Sequence, residues 1–273
     1  MHLRFAANLS MLYPELPFID RFAAARADGF EGVEFLFPYA HAAEELARQL
    51  RTHGLEQVLF NAPPGGETPE AMAAAWNSQH RGTLAQPSQH KAFEAGIRHA
   101  LHYAQVLQCP RIHVMSGPMP TDADHQALTA MVIERLQWAA ALAGPLGITL
   151  LIEPINGRDM PGYFLQHQAD AHAIVQAVGS PYVQVQMDLY HCQIVEGDVT
   201  MQLRRYLPSG RVGHLQIASV PERHEPDRGE LHYPWIFEEL QRLQWQGWVG
   251  CEYRPAGGLQ PGATSQGLRW RSL

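Results

Sequence analysis

The chain alternates, almost from end to end, between short apolar or β-rich runs and amphipathic helical stretches. Strand-like runs fall at Leu3–Asn8, Gly32–Phe35, Leu55–Asn61, Arg111–Met115, Thr149–Glu153, Val183–Asp188, Val212–Ala218 and Val249–Glu252. Helical patterns lie between them at Phe18–Asp28, Ala42–His53, Lys91–Leu107, Asp124–Gly147, Ala169–Val178, Met201–Tyr206 and Trp235–Trp245. Asp28-Gly29 and His53-Gly54 place glycine where a helix ends in a left-handed cap. Strands separated by helices require a parallel sheet, because parallel neighbours need a crossover. Eight such units point to closure into a single (β/α)8 barrel, an α/β fold that typically occupies about 250 residues. An open doubly wound sheet is the alternative, but the first turn, from Asn8 to Tyr13, has no GxGxxG phosphate loop.

The barrel is expected over residues 1–255, followed by a loosely packed tail at 256–273 that Trp270 partly docks. One connection breaks the rhythm. Residues 62–90, after the third strand, form a long Gly/Pro-rich loop. Long loops are usually functional, and one placed after a barrel strand lies on the catalytic face, as a lid would; a surface insertion is the other reading.

Composition excludes several function classes. Twenty Lys and Arg stand against 27 Asp and Glu, a formal charge of −7. Nucleic acid binding needs a basic surface to displace counterions, so it is not expected, and neither is an anionic membrane surface. Cys109, Cys192 and Cys251 are too scattered for a disulfide framework and include no CxxC pair. With no signal-peptide pattern at the N-terminus and no apolar run of about 20 residues, a cytoplasmic protein is expected.

Active sites of such barrels lie at the C-terminal ends of the strands. Polar residues at those ends are Glu153 on the fifth strand, Asp188 on the sixth, Gln216 on the seventh and Glu252 on the eighth. Three carboxylates crowded into one barrel mouth repel each other, and a divalent cation removes that penalty. An all-oxygen set of Glu, Asp, Gln and Glu suits Mg²⁺ or Mn²⁺ better than zinc or copper. His191, three residues past Asp188, is a candidate for touching substrate or orienting Asp188, and His113 is a candidate pocket residue or a core histidine. Arg223 and Arg228 follow the seventh strand, where a guanidinium matches a substrate carboxylate; Glu34 is a weaker candidate for orienting a partner. Phe35, Phe37, Phe60 and Trp76 are candidates for the pocket wall.

The stretches IEPIN (152–156), QMDLYH (186–191), HLQIA (214–218), PERHEPDRGELHY (221–233) and GCEYRPAG (250–257) resemble hydroxypyruvate isomerases and 2-oxo-tetronate isomerases, which belong to the xylose-isomerase-like TIM barrels. FAANLSMLYPELPF (5–18), GFEGVEFLFPY (29–39) and CPRIHVMSG (109–117) extend the resemblance over most of the chain. The resemblance implies metal ligation by Glu153, Asp188, Gln216 and Glu252, with Glu153 and Glu252 donating or accepting protons. It implies a small sugar acid as substrate, whose carbonyl moves to the adjacent carbon through a metal-stabilised enediolate, and is compatible with a homo-oligomer. The rivals are a keto-sugar 3-epimerase, where the seventh-strand ligand is normally histidine, a zinc endonuclease, which needs more strand-end histidines and a basic groove, and a non-catalytic sugar-acid binding protein.

Overall fold

The computed structural model describes residues 2–78 and 81–272, so that Gln79 and His80 of the 62–90 segment lie outside the described residues. Eight parallel strands pair in chain order: β1 (Arg4–Asn8), β2 (Gly32–Phe35), β3 (Glu56–Asn61), β4 (Arg111–His113), β5 (Thr149–Ile152), β6 (Val183–Asp188), β7 (Val212–Ile217) and β8 (Trp248–Cys251). β8 pairs back onto β1, with Ala6 opposite Gly250, and the sheet closes into a barrel. Each strand expected from the sequence is present, shifted by at most one or two residues at an end.

The helices packed around the barrel are α1 (Arg21–Ala27), α2 (Ala43–His53), α4 (His90–Leu107), α5 (His125–Ala143), α6 (Gln168–Val178), α8 (Val199–Tyr206) and α9 (Tyr233–Arg242). α2 buries Ala43, Leu46, Ala47 and Leu50, one helical face, and ends where Gly54 takes φ 61°. α4 repeats the pattern with Phe93, Ile97, Ala100, Leu101, Ala104 and Leu107. The helix expected over 124–147 is shorter, because its last turn tightens into a 3₁₀ turn at Gly144–Leu146.

Three helices are additional to the sequence reading. α3 (Pro69–Asn77) lies inside the long loop, begun by Thr68, whose hydroxyl accepts from Ala71 N at 3.3 Å, and by Pro69 in the first turn. α7 (Leu189–Val195) starts directly at the end of β6, with the Asp188 side chain as its cap. α10 (Ala263–Gly267) belongs to the tail.

The barrel interior is layered. Ala6, Val58, Leu59, Leu151 and Trp248 form a separate apolar cluster contributed by β1, β3, β5 and β8, which can meet only inside the barrel. Two register shifts, between Val33 and Glu34 against β3 and between Val185 and Gln186 against β7, re-aim the side chains that follow them. Polar residues therefore collect toward the C-terminal ends of the strands.

The tail is seated more firmly than its composition suggests. Trp270 is 1% exposed, donates its indole N–H to the Tyr253 hydroxyl at 3.0 Å, and packs edge-on against Phe5 at 5.0 Å. A single large aromatic thus offsets the entropy of ordering a Gly-rich segment. Trp270→Ala is expected to cost about 3–5 kcal/mol of folding stability, read by urea titration; a loss below about 1 kcal/mol would mean that the tail is not part of the cooperative unit.

Candidate active site

Glu153 follows β5, Asp188 ends β6 and Glu252 follows β8; all three are buried. Strand register sets Gln216 beside Asp188 across β6 and β7. A cavity of about 450 Å³ opens above them, lined by His113, Glu153, Asp159, His191, Arg223 and Glu252 among others.

His113, at the end of β4, brings Nε2 to 3.6 Å from Glu153 Oε2. His191, on the first turn of α7, has Nε2 3.6 Å from Asp188 Oδ2 and 3.9 Å from Glu153 Oε1. Its tautomer follows from its neighbour. Asn156 Oδ1 accepts the backbone N–H of Arg158 and Asp159 at 2.9 and 2.8 Å, so its amide nitrogen must face His191 Nδ1, 2.6 Å away. Nδ1 then accepts, and the proton sits on Nε2, aimed at the two carboxylates.

Arg223 stands among the acids. Its Nη2 donates to Glu252 Oε2 at 2.8 Å and lies 3.7 Å from Asp188 Oδ2, while Nη1 donates to Asp159 Oδ2 at 3.2 Å. The guanidinium also lies 4.8 Å from the centre of the Tyr190 ring. Asp159 carries no signal in the sequence, because it sits six residues beyond Glu153 in a loop and only the Asn156 turn folds it back to the mouth.

Burial governs the electrostatics. It pushes Glu252 up to about 8 and Asp188 up to about 6, and raises Glu153 well above the carboxylate range, with Glu252 and Asp188 adding repulsion. Burial lowers His113 to about 3 and His191 well below its usual value. Desolvation works against the Arg223 charge, but Glu252, Asp188 and Asp159 hold it above its ordinary range.

Glu153 Oε1 and Asp188 Oδ2 are buried oxygens without a hydrogen-bond partner. Such a pair fits a divalent cation. Glu153, Asp188 and His191 each offer a donor atom within 4.8 Å of the others, so this group can hold a metal. The proton on His191 Nε2 points at that oxygen pair and must leave before Nε2 itself can ligate.

The other sequence candidates divide. Trp76 of α3 lines the cavity and packs against Phe37 at 5.2 Å; Arg81, from the same segment, stacks on Trp76 and donates to the Asp159 carbonyl. Phe35 and Phe60 lie in the main hydrophobic core. Arg228 does not join the site. The Glu225 carboxylate accepts from Ala256 N at 3.1 and 3.0 Å, which carries the following residues over the tail, and Arg228 lines a separate surface cavity there.

Glu252 keeps its proton to about pH 8 in the fold but releases it near 4.5 when exposed. The folded state therefore binds more protons between those values, and stability falls as pH rises. The buried histidines oppose this only below their exposed value of 6.5. Across pH 6.5–8 the Tm of metal-free protein is expected to fall, and the gain from saturating Mn²⁺ to grow, since ligation needs deprotonated carboxylates. A metal-free Tm that rises over this window contradicts a protonated, buried Glu252.

The family described as xylose isomerase-like TIM barrel matches residues 22–272. A protein of Cupriavidus necator named 2-oxo-tetronate isomerase is 54% identical over 98% of this chain and 96% of its own. Hydroxypyruvate isomerase of Escherichia coli is 38% identical over 98% of both chains. A crystal structure from Brucella melitensis described as AP endonuclease, family 2, superposes with a TM-score of 0.91 at 46% identity, covering 99% of this chain and 98% of that one.

Proposed function

Since the chain belongs to the xylose isomerase-like TIM-barrel family, we propose that it moves the carbonyl of a short 2-oxo sugar acid to the adjacent carbon, with 2-oxo-tetronate as substrate and 3-oxo-tetronate as product. The observation that carries this reading is the buried pair Glu153 and Glu252 on one rim with Asp188, above which a cavity of about 450 Å³ is open to a small acid. The 54% identity to a 2-oxo-tetronate isomerase, against 38% to a hydroxypyruvate isomerase, favours the four-carbon acid.

The conversion removes a proton from C3 and delivers one to C2, while the C3 hydroxyl becomes a carbonyl and the C2 carbonyl a hydroxyl. Glu153 and Glu252, immediately after β5 and β8, act as the pair that takes and returns the carbon-bound proton. Burial suits Glu252 to this exchange, because a carboxyl pushed up to about 8 holds a proton near neutral pH and still releases it, and burial raises Glu153 in the same direction. Glu153, Asp188, Gln216 and Glu252 would hold Mg²⁺ or Mn²⁺, which when bound supplies Lewis-acid stabilisation of developing oxyanion charge. The Arg223 guanidinium, fixed by Asp159 and the Tyr190 ring, adds positive charge beside Glu252 and suits the substrate carboxylate. His191 points its Nε2 proton toward the oxygens gathered between Glu153 and Asp188, and His113 borders the pocket beside Glu153.

A nuclease reading finds no support in the charge of −7. No helix among the described residues is long and apolar enough to cross a membrane, and Cys109, Cys192 and Cys251 are buried free thiols, in keeping with a reducing cytoplasm.

EDTA-stripped protein is expected to turn over 2-oxo-tetronate only after Mn²⁺ or Mg²⁺ is returned, with a larger kcat/KM than for hydroxypyruvate; turnover that survives stripping removes the cation from the reaction. Glu153→Gln and Glu252→Gln should each cut kcat more than tenfold, about 1.4 kcal/mol of barrier, with the fold intact by circular dichroism. A variant that keeps over a tenth of the rate sinks the two-carboxylate assignment.

A further inference from the structure

Below the cavity floor, Gln216 joins a second polar cluster whose other members the proposed reaction does not use. Glu34, on β2 immediately past a register shift, is 1% exposed. Its Oε2 is 2.7 Å from His214 Nε2, and its Oε1 accepts from Asn8 Nδ2 at 3.0 Å and from Gln216 Nε2 at 2.8 Å. The barrel makes room for this carboxylate at Gly250, where a Cβ would collide with it. His214 Nδ1 has no partner, which leaves the His214 proton on Nε2, facing Glu34.

Both Glu34 oxygens act as acceptors, Oε2 toward the His214 N–H and Oε1 toward Asn8 and Gln216. The end of the Gln216 amide that meets Glu34 must therefore be the NH₂ group. Its carbonyl oxygen is then turned away from Glu34, where it accepts from Gln186 Nε2 at 2.6 Å and keeps a second lone pair. A free glutamine amide has no such preference, since either end could face the site. We infer that Glu34 is a positioning residue for Gln216: by accepting from the amide nitrogen it presents the carbonyl oxygen, the only atom of that side chain able to ligate a cation. Asn8 and His214 serve the same end by locking Glu34 itself. The inference rests on the proposal that Gln216 is a ligand.

The test is Mn²⁺ affinity, read by electron paramagnetic resonance titration, together with the Tm of the metal-free proteins. Gln216→Ala is expected to weaken Mn²⁺ binding at least tenfold. Glu34→Gln offers Gln216 a donor as readily as an acceptor, and is expected to weaken binding about 10- to 100-fold, as loss of a partner behind a metal ligand does. In the Gln216→Ala background, Glu34→Gln should add less than a twofold loss, because the two act through one amide. The exchanged pair, Glu34→Gln with Gln216→Glu, restores one donor and one acceptor between the strands and should recover most of the affinity.

Wild-type affinity in Glu34→Gln, with Gln216→Ala weakened, overturns the positioning role and leaves the ligand standing. Wild-type affinity in Gln216→Ala overturns both. Losses that multiply in the double variant, or an exchanged pair no better than Gln216→Ala, mean that Glu34 acts only on the fold. If Glu34→Gln alone does not fold, the exchanged pair decides by the same criterion.

Discussion

Three carboxylates buried on one rim are the constraint around which the upper half of the barrel is organised. Glu153, Asp188 and Glu252 lie behind the surface, and burial raises each of them. Left ionised and alone they would repel one another in a medium that screens poorly. The fold answers with positive charge and with protons. Arg223 bonds Glu252 and Asp159 and approaches Asp188, His191 directs an N–H between Asp188 and Glu153, and the unpartnered oxygens fit a divalent cation.

Around that rim, several polar side chains leave a neighbour little choice of orientation. Asn156 spends its carbonyl on two backbone N–H groups and so offers only its amine to His191. Glu34 can only accept and so turns Gln216. Asp188 uses one oxygen to cap α7, which at the same time places His191 three residues on. Each device buries a polar group whose orienting atom is hydrogen-bonded, while Asp188 Oδ2 and Glu153 Oε1 are left for a cation to satisfy. The apolar cluster of Ala6, Val58, Leu59, Leu151 and Trp248 within the barrel gives the network a close-packed base.

Much of this was legible along the chain because it is local. Strand and helix periods, and polar residues at the ends of successive apolar strands, sufficed to place the barrel and to collect Glu153, Asp188, Gln216 and Glu252. What stayed illegible involved short elements or contacts across the fold. α3 hides in a Gly/Pro-rich loop, although Thr68-Pro69 is a helix start. Trp270 docks on Phe5 and Tyr253, partners 265 and 17 residues away, which no local pattern announces.

The sequence alone determined the repeating strand–helix order and which strand ends carry oxygen-bearing side chains, because side-chain alternation and backbone hydrogen bonding act between near neighbours. Only the tertiary structure decided how those groups face one another. Arg223 and Arg228 lie five residues apart in one loop, yet one enters the carboxylate cluster while Glu225, tied to Ala256, directs the other to a different surface. Glu34 is legible in the sequence only as a weak candidate for orienting a partner; barrel closure supplies the partner, setting it against Gln216, 182 positions on, with glycine at 250 leaving it the space. Such pairings are made by closing the sheet, a step that sets distance and hydrogen-bond direction between residues far apart in the chain.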